Sequence, residues 1–194
     1  MTVKSPSHSF TVKHEGRVDR LITDVRIAPA FDPQKVDGSK VDHYACRALW
    51  DTGATRSVIS PSGVKALGLT PTGVANITHA GGAGQCSTYV VNIELPNKVE
   101  IVGVQATEFH GQDGFEVIIG MDIIGMGDFS VTQPGGKTCM SFRIPSVEEV
   151  DYVAQAREPH RAGPVPGRNS PCPCGRVQRN GQPYKYKNCC GKDK

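Results

Sequence analysis

The chain has 194 residues, enough for one ordinary domain and an appendage, and carries 22 Lys and Arg against 19 Asp and Glu. No apolar run approaches the ~20 residues that a membrane-spanning helix needs, and the opening Met1-Thr-Val-Lys-Ser-Pro-Ser-His8 lacks the apolar core of a secretory signal. Seven cysteines, odd in number and bunched towards the C-terminus, do not read as a disulfide framework, so the expected setting is a reducing cytoplasm without a membrane partner.

Taken in chain order, residues up to about 145 read as β-rich. Short apolar or alternating runs recur at Phe10–Val12, Leu21–Ile27, Tyr44–Trp50, Tyr89–Leu95, Val99–Val104, Glu116–Ile119, Phe129–Val131 and Cys139–Ile144. Turn signals such as Asp37-Gly38, Pro96-Asn97, Asp113-Gly114 and Pro134-Gly135-Gly136 separate them. Many short strands at this spacing predict a barrel or sandwich of the all-β class. One helical turn is expected over Pro61–Leu67, with Ser60 as its N-cap, and a longer helix over Val147–Arg157, with Ser146 as cap. Glu158–Ser170, with three prolines and two glycines, reads as an extended linker. The domain plan is thus 1–145, then helix and linker over 146–168, then a small module over 169–194. From Arg168 onward there are seven basic residues and one acid, leaving 15 basic and 18 acidic residues before it, so a mildly acidic body bears a basic tail.

Three stretches of the body carry candidate chemistry. The first is Ala48-Leu-Trp-Asp51-Thr52-Gly53-Ala54-Thr-Arg-Ser-Val-Ile-Ser60, a strand–turn–strand with a carboxylate at its turn. Asp, Thr and Gly are poor strand-interior residues, so something other than packing asks for them. Gly53 allows its N–H to approach the carboxylate without an intervening Cβ. Asp51 reads either as a catalytic carboxylate or as a turn residue accepting nearby backbone N–H groups. The second stretch is Phe115-Glu-Val-Ile118-Ile119-Gly120-Met-Asp122-Ile-Ile-Gly-Met-Gly-Asp-Phe129. Ile118-Ile119 suits a strand buried on both faces, Gly120 a close backbone approach, and Asp122 the N-cap of a following turn rather than a second acid. The third is His79-Ala-Gly81-Gly82-Ala-Gly84-Gln85, whose glycines make the tip of a hairpin.

The order and spacing of these stretches resemble the retroviral-type aspartic proteases over about residues 40–145. The resemblance implies a retropepsin-like closed β-barrel, the acid protease fold. It also implies Asp51 as the catalytic acid and Thr52, Gly53 and Ala54 as its loop. Gly81, Gly82 and Gly84 would form a flap over a peptide or protein substrate, and Ile118-Ile119-Gly120 the strand behind the catalytic loop. Met121-Asp122 stands where the retroviral pattern has an Arg/Asn-type pair. Hydrolysis in this family uses water held between two carboxylates that share a proton. This chain contains a single Asp-Thr-Gly, so the second Asp51 must come from a second copy in a homodimer.

The tail, Asn169-Ser-Pro-Cys172-Pro-Cys174-Gly175 and then Tyr184-Lys-Tyr-Lys-Asn-Cys189-Cys190-Gly191, holds two cysteine pairs separated by a basic turn. It closely resembles the SEC-C motif found on the bacterial preprotein translocase motor and on many unrelated bacterial proteins. Cys172, Cys174, Cys189 and Cys190 would then be four thiolates on one structural Zn²⁺, supplying the folding energy that so short a segment lacks. Cys46, Cys86 and Cys139 read as small core hydrophobes. The expectation is a cytoplasmic aspartic endopeptidase with a zinc-binding tail, which serves as adaptor for a protein partner; nucleic acid is not an expected partner. The rival is a non-catalytic adaptor that keeps the protease fold for dimerisation and recruits partners through the tail. No motif covers residues 1–40.

Overall fold

The computed structural model describes residues 7–79, 82–109, 114–157, 167–172 and 174–192. It divides into two compact units, Met1–Glu148 and Glu149–Lys194. All ten strands belong to the first: β1 His8–Lys13, β2 Ile22–Pro29, β3 Tyr44–Trp50, β4 Val58–Ile59, β5 Gly73–His79, β6 Gly82–Glu94, β7 Glu100–Glu108, β8 Val117–Ile119, β9 Asp128–Thr132 and β10 Cys139–Ile144. The class is all-β, as the recurrent short apolar runs predict.

Seven strands form one sheet in the order β2-β3-β8-β4-β7-β6-β5, and an additional β2–β6 pairing brings its first strand back against its sixth. Burial follows the period of two expected of strands with one covered face. In β2 Thr23, Val25 and Ile27 are buried while Asp24 and Arg26 are exposed; in β3 Cys46, Ala48 and Trp50 are buried while Ala45 and Arg47 are exposed. The covered faces join in one core that includes Ile27, Ala48, Ile59, Val91, Ile93, Val117 and Ile119. A polar side chain, Asn92, is fully buried among them at the register shift between Val91 and Ile93. Its amide accepts from Gly103 N at 3.0 Å, beside the shift, and donates to Phe31 O at 2.9 Å just past β2, so both ends of the buried amide are bonded.

The other sheet has three strands, β1-β10-β9, and is docked through aromatic rings. Trp50 stacks on Phe129 with ring centroids 5.7 Å apart and 6° between the planes, and also meets Phe10 and Phe142 at 5.7 and 5.0 Å. Its indole N–H donates to Thr23 Oγ1 at 2.9 Å, giving the buried ring its one polar partner. The residue next to Asp51 is therefore the joint between both sheets.

The short helix α1, Pro61–Ala66, forms as expected, with Ser60 Oγ accepting from Gly63 N at 3.2 Å and Pro61 in its first turn. The longer helix does not. Only α3, Tyr152–Arg157, is helical, and Asp151 caps it by accepting from Val153 N and Ala154 N. Ser146 is no helix cap, because it donates to Asp128 instead, and Asp128 Oδ2 also accepts from Val147 N and Glu148 N. Arg143 binds the same carboxylate through Nε and a terminal nitrogen. Those bonds commit residues 146–148 to a turn around Asp128 rather than to a helix. Of the three remaining cysteines only Cys46 is buried, with its thiol pushed up to about 12 by burial and then by Glu116; Cys86 and Cys139 are half-exposed strand residues rather than core.

The hydrogen bonds from Ser146, Val147 and Arg143, in that order, hold the Asp128 carboxyl well below the usual carboxylate range. A depressed folded-state value stabilises above the unfolded value of about 4 and loses that contribution as pH falls towards the folded one. Asp128→Asn should lower the urea midpoint at neutral pH, and the gap to the parent protein should narrow progressively below about pH 4. A gap that stays constant across that range would show that the charge is not what the turn uses.

Candidate active site and candidate metal centre

The Asp51 loop begins where β3 ends. β3 runs parallel to β8, with Leu49 opposite Ile118 and Trp50 opposite Ile119. The ladder continues one step further, as Asp51 N donates to Ile119 O at 3.0 Å. The chain then turns tightly, Ala54 N donating to Asp51 O at 3.2 Å, and Gly53 N donates to Asp51 Oδ1 at 2.8 Å. A Cβ on Gly53 would sit 3.1 Å from that carboxylate oxygen, closer than an ordinary contact. Asp51 is half-buried, while Thr52 and Gly53 are exposed, so the loop presents its turn outward. Among the described residues Thr52 has no side-chain hydrogen bond, leaving its hydroxyl available to a partner.

The second signature closes on this loop from behind. Val117 and Ile119 are buried and Ile118 is half-buried in β8, which lies between β3 and β4. Gly120 then passes beneath the loop, where a Cβ would lie 2.6 Å from Arg56 C, 2.7 Å from Arg56 O and 2.9 Å from Ala54 O. These are backbone atoms that cannot swing aside, so no other residue fits without displacing the loop. Met121 N donates to Ala54 O at 2.8 Å as the helix α2, Met121–Ile124, begins.

Asp122 does not cap that helix. It lies inside the first turn, and Gly120 occupies the N-cap position without a side-chain bond. Its carboxylate instead crosses to the far end of the Asp51 loop, accepting from Ser57 N at 2.9 Å and Ser57 Oγ at 2.8 Å. Ser57, fully buried, accepts in turn from Gly120 N at 3.1 Å. This Ser57–Asp122 pair is the part of the site that sequence reasoning missed. The available signal was a serine placed before two β-branched residues and a carboxylate two positions after the glycine of the second signature.

The structure thus brings Asp51, Thr52, Gly53 and Ala54 together with Ile118, Ile119 and Gly120. The glycine-rich stretch is a separate feature. β5 and β6 pair as a hairpin from Gly73↔Thr88 to His79↔Gly82, with Gly82 at φ 120° and Gly84 opposite Ile77. Gly81 lies outside the described residues. Among those described, no hydrogen bond joins the hairpin to the Asp51 loop.

In the second unit, Cys172, Cys174, Cys189 and Cys190 converge, all four sulfurs lying within 4.8 Å of one another. Two short bridges, Pro171↔Lys185 and Val177↔Pro183, fold the hairpin that joins the cysteine pairs, and Cys172 N donates to Tyr184 O at 2.7 Å. The second pair follows the turn Tyr186–Asn188, whose buried Tyr186 ring lies so close to Gly191 that a Cβ there would be 2.6 Å from it. The donor set fits a tetrahedral ion, because Zn–S bonds of about 2.3 Å place sulfurs about 3.8 Å apart. The separations Cys174–Cys189 and Cys189–Cys190 are 3.4 and 4.0 Å. The N–H groups of Cys174 and Cys190 hold the Cys172 thiol below the ordinary cysteine value, whereas crowding by the other sulfurs, Cys174 first, holds Cys189 above it. A bound cation would remove that conflict by letting all four ionise.

Residues 34–123, just under half of the chain, match the family described as aspartyl protease. That segment contains both the Asp51 turn and its supporting strand, so the similarity is to an aspartyl protease domain. Similar solved structures include a retropepsin-like aspartic protease from Rickettsia conorii, at 12% identity and a TM-score of 0.47, covering 74% of this chain and 98% of that one. The EIAV protease in complex with the inhibitor HBY-793 is 20% identical with a TM-score of 0.39, covering 55% of this chain and 86% of that one. The Simian foamy virus protease is 13% identical with a TM-score of 0.33, over 53% of this chain and 92% of that one. A separate match reaches the protein translocase subunit SecA of Prosthecochloris aestuarii, 48% identical over 48 residues. That match takes in 25% of this chain and spans only 4% of the translocase subunit's length.

Two outcomes follow from this geometry. Gly120→Ala should cost about 1–3 kcal/mol in urea unfolding, the range for overpacking a close-packed site, because backbone must move to admit one methyl group; an unchanged midpoint would mean that the loop yields freely. The intact protein should bind one metal ion per chain, and Cys172→Ser combined with Cys189→Ser should abolish it. Undiminished metal in that variant, measured by elemental analysis, would remove the cysteines from the site.

Proposed function

We propose that this protein is an aspartic endopeptidase that works as a homodimer, each subunit contributing Asp51 to one active site. The observation that carries the reading is the Asp51 turn, which is pinned from behind by Gly120, held by Gly53 N–H and open to the outside. A single carboxylate cannot both activate water and protonate the scissile carbonyl, so a second one facing it is required. Of two carboxyls held close together, one keeps a proton and the other is charged. The charged Asp51 takes a proton from the water as its oxygen attacks the peptide carbonyl carbon, and the protonated Asp51 gives its proton to the carbonyl oxygen. Collapse of the tetrahedral diol then breaks the C–N bond as a proton passes to the leaving amine. Thr52 and Ala54 would complete the loop in each subunit. The hairpin carrying Gly81, Gly82 and Gly84 would serve as the flap over the peptide.

The ion in the second unit is taken to be Zn²⁺, with the tail of SEC-C type. Four thiolates on one zinc fill its tetrahedral shell and leave no position for substrate, so the role is structural. From Arg168 through Lys192 there are six basic residues and no acid, which suits an adaptor that recruits a protein partner. Four neighbouring thiols kept available for metal favour a cytoplasmic setting.

Asp51→Asn should sediment with the mass of two chains and melt like the parent protein, yet cleave a panel of unfolded proteins at least about 100-fold more slowly. Undiminished cleavage by this variant would overturn the protease reading. An intact, metal-loaded dimer with no cleavage even before the substitution would favour the non-catalytic adaptor.

A further inference from the structure

Arg56 is an exposed cation on the Asp51 loop. Its backbone is held on both sides: Gly120 abuts its carbonyl carbon, and the next residue, Ser57, is fixed by Asp122 through two hydrogen bonds. The side chain therefore projects from a fixed point. β4 and β7 run parallel, with Val58 opposite Thr107, so Arg56 lies beside Gln105 two positions earlier. The only partner that its guanidinium finds among the described residues is the Gln105 side-chain oxygen, which accepts from a terminal nitrogen at 3.3 Å. That partner is neutral. The Asp122 carboxylate at this end of the loop is engaged by Ser57, and no ion pair involves Arg56 among the described residues. A guanidinium stays charged at any working pH and has a planar fork suited to carboxylates.

Resting on the proposed protease reading, we infer that Arg56 selects peptide substrates that carry acidic side chains on both flanks of the cleaved bond. Chain length bounds the geometry: five residues span at most about 18 Å, so Arg56 lies within about five residues of extended peptide from Asp51. The tight turn at Asp51–Ala54 shortens this further. A two-fold axis through the dyad places one Arg56 on each side of the scissile bond. The substrate feature is then a pair of carboxylates, not one.

The test uses the full-length protein and peptides of one core sequence flanked by neutral, acidic or basic residues on one side or both. Each acidic flank should raise kcat/KM about two- to fivefold over the neutral peptide, the span of an exposed ion pair, with the gain shrinking at high salt. Arg56→Gln should level the ratio between acidic and neutral peptides, and Arg56→Glu should invert it in favour of basic ones. Equal cleavage of all peptides by the parent protein, or an equal shift of every peptide in Arg56→Glu, would overturn the inference while leaving the protease reading intact. No cleavage of any peptide by the metal-loaded dimer would instead overturn the protease reading, and this inference with it.

Discussion

The close passage of Gly120 beneath the Asp51 loop is the constraint on which the rest of the site depends. Three backbone atoms of the loop lie where its Cβ would be, so β8 and the loop are in direct backbone contact. That contact is possible because β8 sits between β3 and β4 in the sheet, parallel to one and antiparallel to the other. β3 delivers Asp51 and β4 receives the chain after it, so a single three-residue strand sets both ends of the turn. Burial of Val117 and Ile119 holds β8 in place, and Trp50 ties the same joint to the three-stranded sheet. Position of the carboxylate is thus a consequence of core packing on one side and of a missing side chain on the other.

Much of this was legible in the residues, and the parts that were not share a physical cause. The strand runs, the Ser60 cap, the Asp51 turn and the aliphatic-aliphatic-glycine strand announce themselves through local pattern: alternation, a capping serine, residues that strands otherwise reject. Local rules mislead at Ser146 and Asp122 because each has two possible partners. A serine ahead of two glutamates is a good helix cap in isolation, but Asp128, eighteen residues earlier, offers a charged acceptor that no local rule sees. Asp122 likewise caps a turn by local rule and yet reaches Ser57, sixty-five residues away. Tertiary hydrogen bonds to charged groups outweigh the capping preference, which amounts to about 1 kcal/mol.

The second unit shows the opposite balance. Its side chains provide almost no core, with Cys172 and Tyr186 the buried residues among those described, and beyond α3 its regular structure amounts, among the described residues, to isolated bridges and single turns. Here two cysteine pairs separated by a basic turn, with the resemblance to the SEC-C motif, implied the cluster, and thiols two apart and thiols adjacent converge only if the hairpin between them closes. The hairpin does close, at Cys172 N to Tyr184 O. What local pattern could not foretell is the role of Tyr186, whose ring fills the space over Gly191 and takes the place of a hydrophobic core.

The body and the tail differ in what their polar groups leave undone. In the body, buried polar atoms such as those of Asn92, Ser57 and Thr23 find partners, and the Asp128 carboxylate gathers a full set of donors. Two buried atoms, Asn97 Nδ2 and Glu100 Oε1, find no partner. On the more open Asp51 loop, among the described residues, Thr52 makes no side-chain hydrogen bond, Asp51 has one oxygen held by Gly53, and Arg56 meets only a neutral amide. The turn thus presents an acid, a hydroxyl and a cation towards solvent from a backbone held rigidly by Gly120 and Ser57. Such a grouping is the expected state of a surface that completes its hydrogen bonds with something else. In the proposed homodimer the second copy of the loop would partner Asp51 and Thr52, and an acidic peptide lying across the axis would partner Arg56.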